Sequence, residues 1–316
     1  MKRERVKKLL YGAILTIFFA LSLAFSEESR ATLALSLETC AKTLVPSIFP
    51  FAVIGALVGS GIAEFPRWIT CAFSWIFGIS EGGAKALLSG LFTGFPVGCT
   101  AACGLYGRGE ISEREFCRIC ALSVTPGAAF VISGVGGGMF KSAGVGAIIY
   151  MSVISSVFLV GIATGSRRKI KNENCQKFSD LPPPALFEAV TDAVGKSGYS
   201  MLTMTAFIAF FAQISLFLTK ACEYITDSAV LTALVKAFVE ISSASSAASK
   251  IGDKNGILLA VFACAWSGIS VHMQTLAVCA HCRSKKLLGN LVFLRALIAL
   301  FSLLIALAVM QIFALY

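Results

Sequence analysis

Residues 84–104 read AKALLSGLFTGFPVGCTAACG, and the centre of that stretch, Gly94-Phe95-Pro96-Val97-Gly98, decides how the whole chain must be read. Apart from Lys85 the flanks are apolar enough for a membrane helix, yet Gly90, Gly94, Pro96 and Gly98 interrupt them. Proline removes a backbone donor and clashes with the preceding turn, while glycine has little helical preference, so a straight helix cannot run through. Hydrocarbon offers no partner to the backbone groups freed by such an interruption, which costs several kcal/mol per unpaired group. A broken or re-entrant element is therefore expected here, packed in protein or facing a wet cavity.

The rest of the chain fits a bilayer. Of 316 residues only 14% are charged and 57% are hydrophobic, with a mean hydropathy of +0.82. A soluble domain averages about 25% charged residues, so this chain cannot cover itself with a polar surface. Disordered, fibrous and disulfide-rich secreted classes are excluded. The net charge of +10 does not imply nucleic acid, because the basic residues cluster at the ends of apolar runs. Those clusters are Lys2, Arg3, Arg5, Lys7 and Lys8; Arg167-Arg168-Lys169-Ile170-Lys171; and Arg283, Lys285 and Lys286. All three are predicted on the cytoplasmic side, since short basic loops resist translocation. Ser26-Glu27-Glu28-Ser29 is a poor cleavage site, so residues 9–25 are read as an uncleaved first helix.

Working outward, residues 29–43 alternate apolar and polar residues and are expected at the interface, and 44–63 form a full span. Neither 68–79 nor 84–104 makes a straight crossing. After a charged turn at 108–118, residues 119–139 are interrupted at Pro126-Gly127, and 145–165 span cleanly. Residues 172–184, ending in Pro182-Pro183-Pro184, read as a linker. Beyond it come an amphipathic entry at 187–196, a span at 199–218, and an apolar run at 229–239 ending in Glu240 and a serine-rich break. The run 257–279 contains Trp266-Ser267-Gly268-Ile269-Ser270, and 287–316 is the last span, long enough that it must tilt. A displacement of 144 residues lays Ser123 on Ser267 and Pro96 on Glu240. The predicted architecture is an all-α polytopic membrane protein with two pseudo-repeats of broken or re-entrant helices, read as inverted. Its parts are an N-terminal helix and interfacial segment (1–43), a first repeat (44–165), a cytoplasmic linker (166–186) and a second repeat (187–316).

Paired interruptions in two halves point to a transporter site near the bilayer midplane, where half-helix N-termini favour negative charge. The candidate substrate-binding residues are Gly94, Phe95, Pro96 and Gly98 in the first break and Ser123, Thr125, Pro126 and Gly127 in the second. Ser267, Gly268, Ser270 and Gln274 complete the set. Ser267, Ser270 and Gln274 share one helical face, whereas His272 is turned about 140° away and is expected at a helix contact. Glu240 is costly to bury and is the candidate for ion or proton coupling, with a solvated position beside Lys236 and Lys250 as the plainer reading.

No GxSxG, HExxH or Walker A pattern occurs, and the chain has two histidines, so no catalytic residue, enzyme activity or cofactor is expected. Most of the eleven cysteines sit in apolar runs as small hydrophobes. Cys117-x-x-Cys120 and Cys279-Ala-His281-Cys282 have metal-ligand or redox spacing, but neither lies in a compact soluble module, and no metal is expected.

Gly94-Phe95-Pro96-Val97-Gly98, Gly107-Arg108-Gly109-Glu110-Ile111-Ser112, the Pro126-Gly127 break with Gly134-Val135-Gly136-Gly137-Gly138-Met139-Phe140, and Ser267-Gly268-Ile269-Ser270-Val271-His272-Met273-Gln274 together resemble the sporulation integral membrane protein YlbJ family. That family carries the nucleoside-recognition or gate domain of concentrative nucleoside transporters. Three of its four motifs match; Ser123-Val124-Thr125-Pro126-Gly127 stands in place of its Asn-Asn-x-Gly-Pro, and Glu240 is followed by Ala244 where the family has Gly. The resemblance implies a multi-pass protein of the cell membrane, in the outer forespore membrane of spore-forming Firmicutes, that moves dipicolinic acid during spore formation. The expected partners are a small anionic solute, membrane lipid and a coupling proton or sodium ion, with homo-oligomerisation left open and no nucleic acid. A nucleoside-type carrier and a non-transporting scaffold of a sporulation complex are the alternatives.

Overall fold

The computed structural model describes residues 2–59, 65–165 and 185–312, and no strand occurs among the described residues. The basic cluster 167–171, the linker 172–184, the end of the second predicted span at 60–63 and residues 313–316 lie outside them. Six helical stretches are long and apolar enough to cross a membrane: Glu4–Ala24, Ser26–Val58, Ala143–Ala163, Leu186–Glu223, Lys254–Val278 and Leu287–Ile312. The chain is an all-α polytopic membrane protein.

Helices α1 (Lys2–Ala24), α2 (Ser26–Thr39) and α3 (Val45–Gly59) come first, with a π-helical turn, Cys40–Leu44, joining the last two. Short helices follow: α4 (Arg67–Phe77), α5 (Glu81–Thr93), α6 (Val97–Gly107) and α7 (Glu113–Ser123), then a π-helical segment, Ala129–Met139, and the long α8 (Ala143–Ala163). The second part runs through α9 (Leu186–Glu223), α10 (Ala229–Val239), α11 (Ile241–Ile251), α12 (Lys254–Trp266), α13 (Gly268–Val278), a 3₁₀ turn (Ala280–Cys282) and α14 (Leu287–Ile312). Polar residues write the helix starts: Ser80, Ser112, Ser142, Ser228 and Asp253 each accept a backbone N–H of the first turn.

Several stretches differ from the sequence expectation: residues 113–118 of the charged turn belong to α7, the serine-rich stretch after Glu240 is the helix α11 and not a break, and two further stretches also differ. Residues 29–43 are helical and continue into α3, because Ser36, Thr39 and Ser47 donate their hydroxyls to carbonyls four residues back, which lets polar residues ride in a long helix. The entry at 187–196 and the span at 199–218 are one helix, α9; Lys196 pairs with Asp192 one turn earlier on an exposed face, so its charge does not end the helix.

Some helix bounds, though not those of α5, α7 and their counterparts α10 and α12, share the displacement seen in the sequence. α6 and α11 begin at 97 and 241 and end at 107 and 251, and α8 and α14 begin at 143 and 287, each pair 144 apart.

Around α7 the interior is closed by a buried charge. Arg118 donates through Nη2 to the carbonyls of Phe77 at 2.9 Å and Gly161 at 3.0 Å, satisfying carbonyls at the C-terminal ends of α4 and α8. Outside this core, α1 touches α9 through Phe18 against Phe210 and Phe217 and through Gln213 to Ser22, leaving most of its apolar surface for lipid.

Candidate functional site

Four helix interruptions meet. The first lies between α5 and α6 at residues 94–96, the second between α7 and the π-helical segment at 124–128, the third at Glu240 and the fourth at Ser267. Gly94 has φ 83°, open to glycine but strained for other residues, and a Cβ there would lie 3.0 Å from the Gly127 nitrogen and 3.2 Å from its Cα. The first break therefore rests on the backbone of the second. Gly268, at φ 67°, does the same on the other side: a Cβ would come 2.8 Å from the Val239 carbonyl oxygen and 3.0 Å from the Glu240 nitrogen. Ser267 Oγ, 3.3 Å from the Val124 carbonyl oxygen, links the two pairs.

Between the breaks lies a cavity with about 590 Å³ of space between atoms, its mouth included. Of the residues singled out in the sequence, Gly94, Phe95, Thr125, Pro126, Gly127, Glu240, Ser267 and Gln274 line it; Thr93, Phe130, Met204, Ile208 and Val271 add to its wall. Pro96, Gly98, Ser123, Gly268 and Ser270 do not line it. Pro96 sits at the start of α6. Gly98 and Ser123 meet Gly90 in a helix crossing so tight that a Cβ on Gly98 would fall 2.5 Å from Ser123 Cβ and 2.8 Å from Gly90 Cα. Gly268 is pressed on the third break, and Ser270 accepts Gln274 Nε2 at 3.1 Å, aiming that amide.

That crossing yields a prediction. Gly98→Leu should cost at least about 1–3 kcal/mol through overpacking against backbone, seen as loss of monodisperse folded protein in detergent gel filtration. An unchanged profile would show that α6 can move off Gly90 and Ser123 freely.

The polar groups of the cavity are few and specifically held. Glu240 is 3% exposed and caps its own helix, one carboxylate oxygen accepting Ser242 N and the other Ser243 N, each at 2.7 Å. Lys236 and Lys250 make no ion pair with it among the described residues, so it is not solvated beside them but buried at the break. α6, the π-helical segment and α13, by contrast, start beside the cavity with no side chain capping their first turns. Their free N–H groups and dipoles favour negative charge.

Sequence reasoning missed Arg295. It lies within α14, is 0% exposed, and donates through Nη2 to Ser267 Oγ at 2.6 Å and to the Cys264 carbonyl at 3.1 Å. Its Nε and Nη1 find no hydrogen-bond partner among the described residues. A guanidinium in the middle of an apolar span was itself the signal, since intramembrane charges are rare and usually functional. Ser267, at φ 72°, is held in its unusual conformation by these bonds and sets the positive charge one hydroxyl behind the cavity wall. His272, buried, bonds the Gly268 carbonyl through Nδ1 at 2.7 Å and lies against Trp266 with ring centroids 4.6 Å apart, a helix contact rather than a cavity group. Trp266 Nε1 in turn donates to the Phe238 carbonyl at the end of α10.

No family model matches the chain, and no curated protein or solved structure shows significant similarity to it.

Proposed function

We propose that the chain is a secondary-transporter-like membrane protein that carries a small anionic solute, with dipicolinate the preferred candidate from the resemblance to the YlbJ family. One observation supports this above the others: four interrupted helices surround a single cavity, with the Arg295 guanidinium directly behind Ser267 in its wall. A scaffold has no need of backbone breaks that bilayer hydrocarbon would penalise, whereas a carrier uses them to bind an ion and to change shape. The cavity is mostly apolar with a few aimed polar groups, which suits a flat aromatic acid. In this reading the two parts of the chain are inverted repeats, the uncapped helix starts and Arg295 hold the carboxylates, Ser267 and Gln274 orient them, and Glu240 handles a coupling proton or sodium ion.

Uptake of labelled dipicolinate into liposomes holding the purified protein tests the reading. Saturable uptake absent from empty liposomes is the expected result. Saturable uptake of a nucleoside alone would replace the substrate, and no uptake of either would leave the scaffold. Gln274→Ala and Ser267→Gly should each weaken apparent affinity several-fold, from about 0.5–1.5 kcal/mol per hydrogen bond. Glycine at 267 removes the hydroxyl while tolerating φ 72°, so its effect reports the hydroxyl and not backbone strain.

A further inference from the structure

The fold brings together thiols and an imidazole that the sequence holds far apart. Cys103 on α6, and His281 and Cys282 on the 3₁₀ turn after α13, have their ligand atoms all within 4.8 Å of one another. Cys279 stands beside this group rather than inside it: its Sγ is 3.2 Å from Cys103 Sγ and 3.9 Å from Cys120 Sγ, and it is not among the three atoms that lie within 4.8 Å of one another. The run Cys279-Ala-His281-Cys282 has ligand spacing but no local module to close a shell; the missing ligand arrives from 176 residues earlier in the chain. Cys103 and Cys279 are buried, Cys282 is half-buried and His281 is exposed, so the group opens to its surroundings on the imidazole side.

We infer that Cys103, Cys279, His281 and Cys282 form a zinc site. Three sulfurs and one imidazole are a donor set that suits Zn²⁺, which takes thiolate at about 2.3 Å and imidazole at about 2.0–2.1 Å in a tetrahedral shell. Such a shell sets its ligand atoms roughly 3.5–3.8 Å apart, so Cys103, His281 and Cys282 need an inward move of about an ångström, which side-chain rotation at the half-buried Cys282 and exposed His281 supplies, and Cys279, outside that group, must turn from Cys120 toward them. Binding releases the thiol protons to solvent, leaves every sulfur at its present oxidation level and needs no oxidant. A disulfide between Cys103 and Cys279 is the competing outcome, but it gives no role to the imidazole and the Cys282 thiol that lie within 4.8 Å of Cys103 Sγ. The ion would tie the C-terminal end of α6 to that of α13, the two short helices whose other ends stand at the cavity.

Co²⁺ titration of the full chain in detergent, kept reduced with a phosphine, tests the site. The expected result is one Co²⁺ per chain, with strong thiolate-to-cobalt charge transfer and tetrahedral d–d bands, both erased by added Zn²⁺. Cys103→Ser and Cys282→Ser should each lose the bands, Cys279→Ser should weaken the charge transfer, and Cys71→Ser, on an exposed cysteine of α4, should change nothing. Wild-type protein without the bands overturns the proposal, so it does not depend on any variant folding. Bands that survive in the Cys103→Ser, Cys282→Ser double variant overturn it too, as does a Cys103–Cys279 disulfide found by peptide mass spectrometry in the reduced protein.

Discussion

Arg295→Met should lower dipicolinate uptake between about ten-fold and one-hundred-fold while leaving a folded, membrane-inserted protein. The two halves of that expectation have separate causes. A hydrogen bond from a charged group is worth about 1.5–3 kcal/mol, and each 1.4 kcal/mol is about a factor of ten in affinity. Without the guanidinium, the cavity loses the one full positive charge that the described residues place near Ser267 and is left with helix dipoles and neutral donors. Folding should survive because methionine has a similar length and no charge to bury, and replacing a buried charge by a packed apolar group is often neutral or stabilising. The strain left is local: Ser267 at φ 72° and the Cys264 carbonyl each lose the guanidinium but keep the bond between them. Arg295→Lys, which keeps a point charge but not the planar donor fork, should fall between wild type and Arg295→Met. Normal uptake by Arg295→Met would mean the guanidinium only braces α14 against α12, and the case for an anionic solute would lose its main support.

The lining of the candidate site was legible in the sequence wherever chemistry and backbone are the same residue. Gly94, Pro126 and Gly127 interrupt apolar runs, and an interruption in hydrocarbon can be read without knowing what it touches. Ser267 and Glu240 were found the same way, as polar residues at the end of apolar stretches. Side-chain direction was harder. Gly98 and Ser123 belong to the same motifs as the lining residues, yet one turn of helix takes them from the cavity to a helix crossing. Arg295 was hidden by its own surroundings, a long uniformly apolar run that reads as a span before it reads as a site. The cysteine group could not be assembled at all from one sequence, because Cys103 and Cys279 are neighbours only through the packing of α6 against the end of α13.

Glu240→Gln should abolish uptake driven by a proton or sodium gradient while sparing exchange of solute at equal concentrations on both sides. Glu240 lies in the cavity wall, 3% exposed, with a helix start as its only hydrogen-bonded support among the described residues. Glutamine keeps the size and one acceptor oxygen, so one of the two capped N–H groups, of Ser242 or Ser243, loses its partner. Loss of a cap costs about 0.5–2 kcal/mol, so α11 should hold but melt at a lower temperature. What glutamine cannot do is take up and release a proton or neutralise a cation. A carboxylate next to an anionic solute repels it unless it is protonated or has a cation beside it, and that repulsion is what would link solute entry to the ion. Glu240→Ala, which removes both the cap and the charge, should lose exchange as well as driven uptake. If Glu240→Gln still accumulates solute against its gradient with the wild-type response to pH and sodium, Glu240 is a helix cap and the coupling ion binds elsewhere.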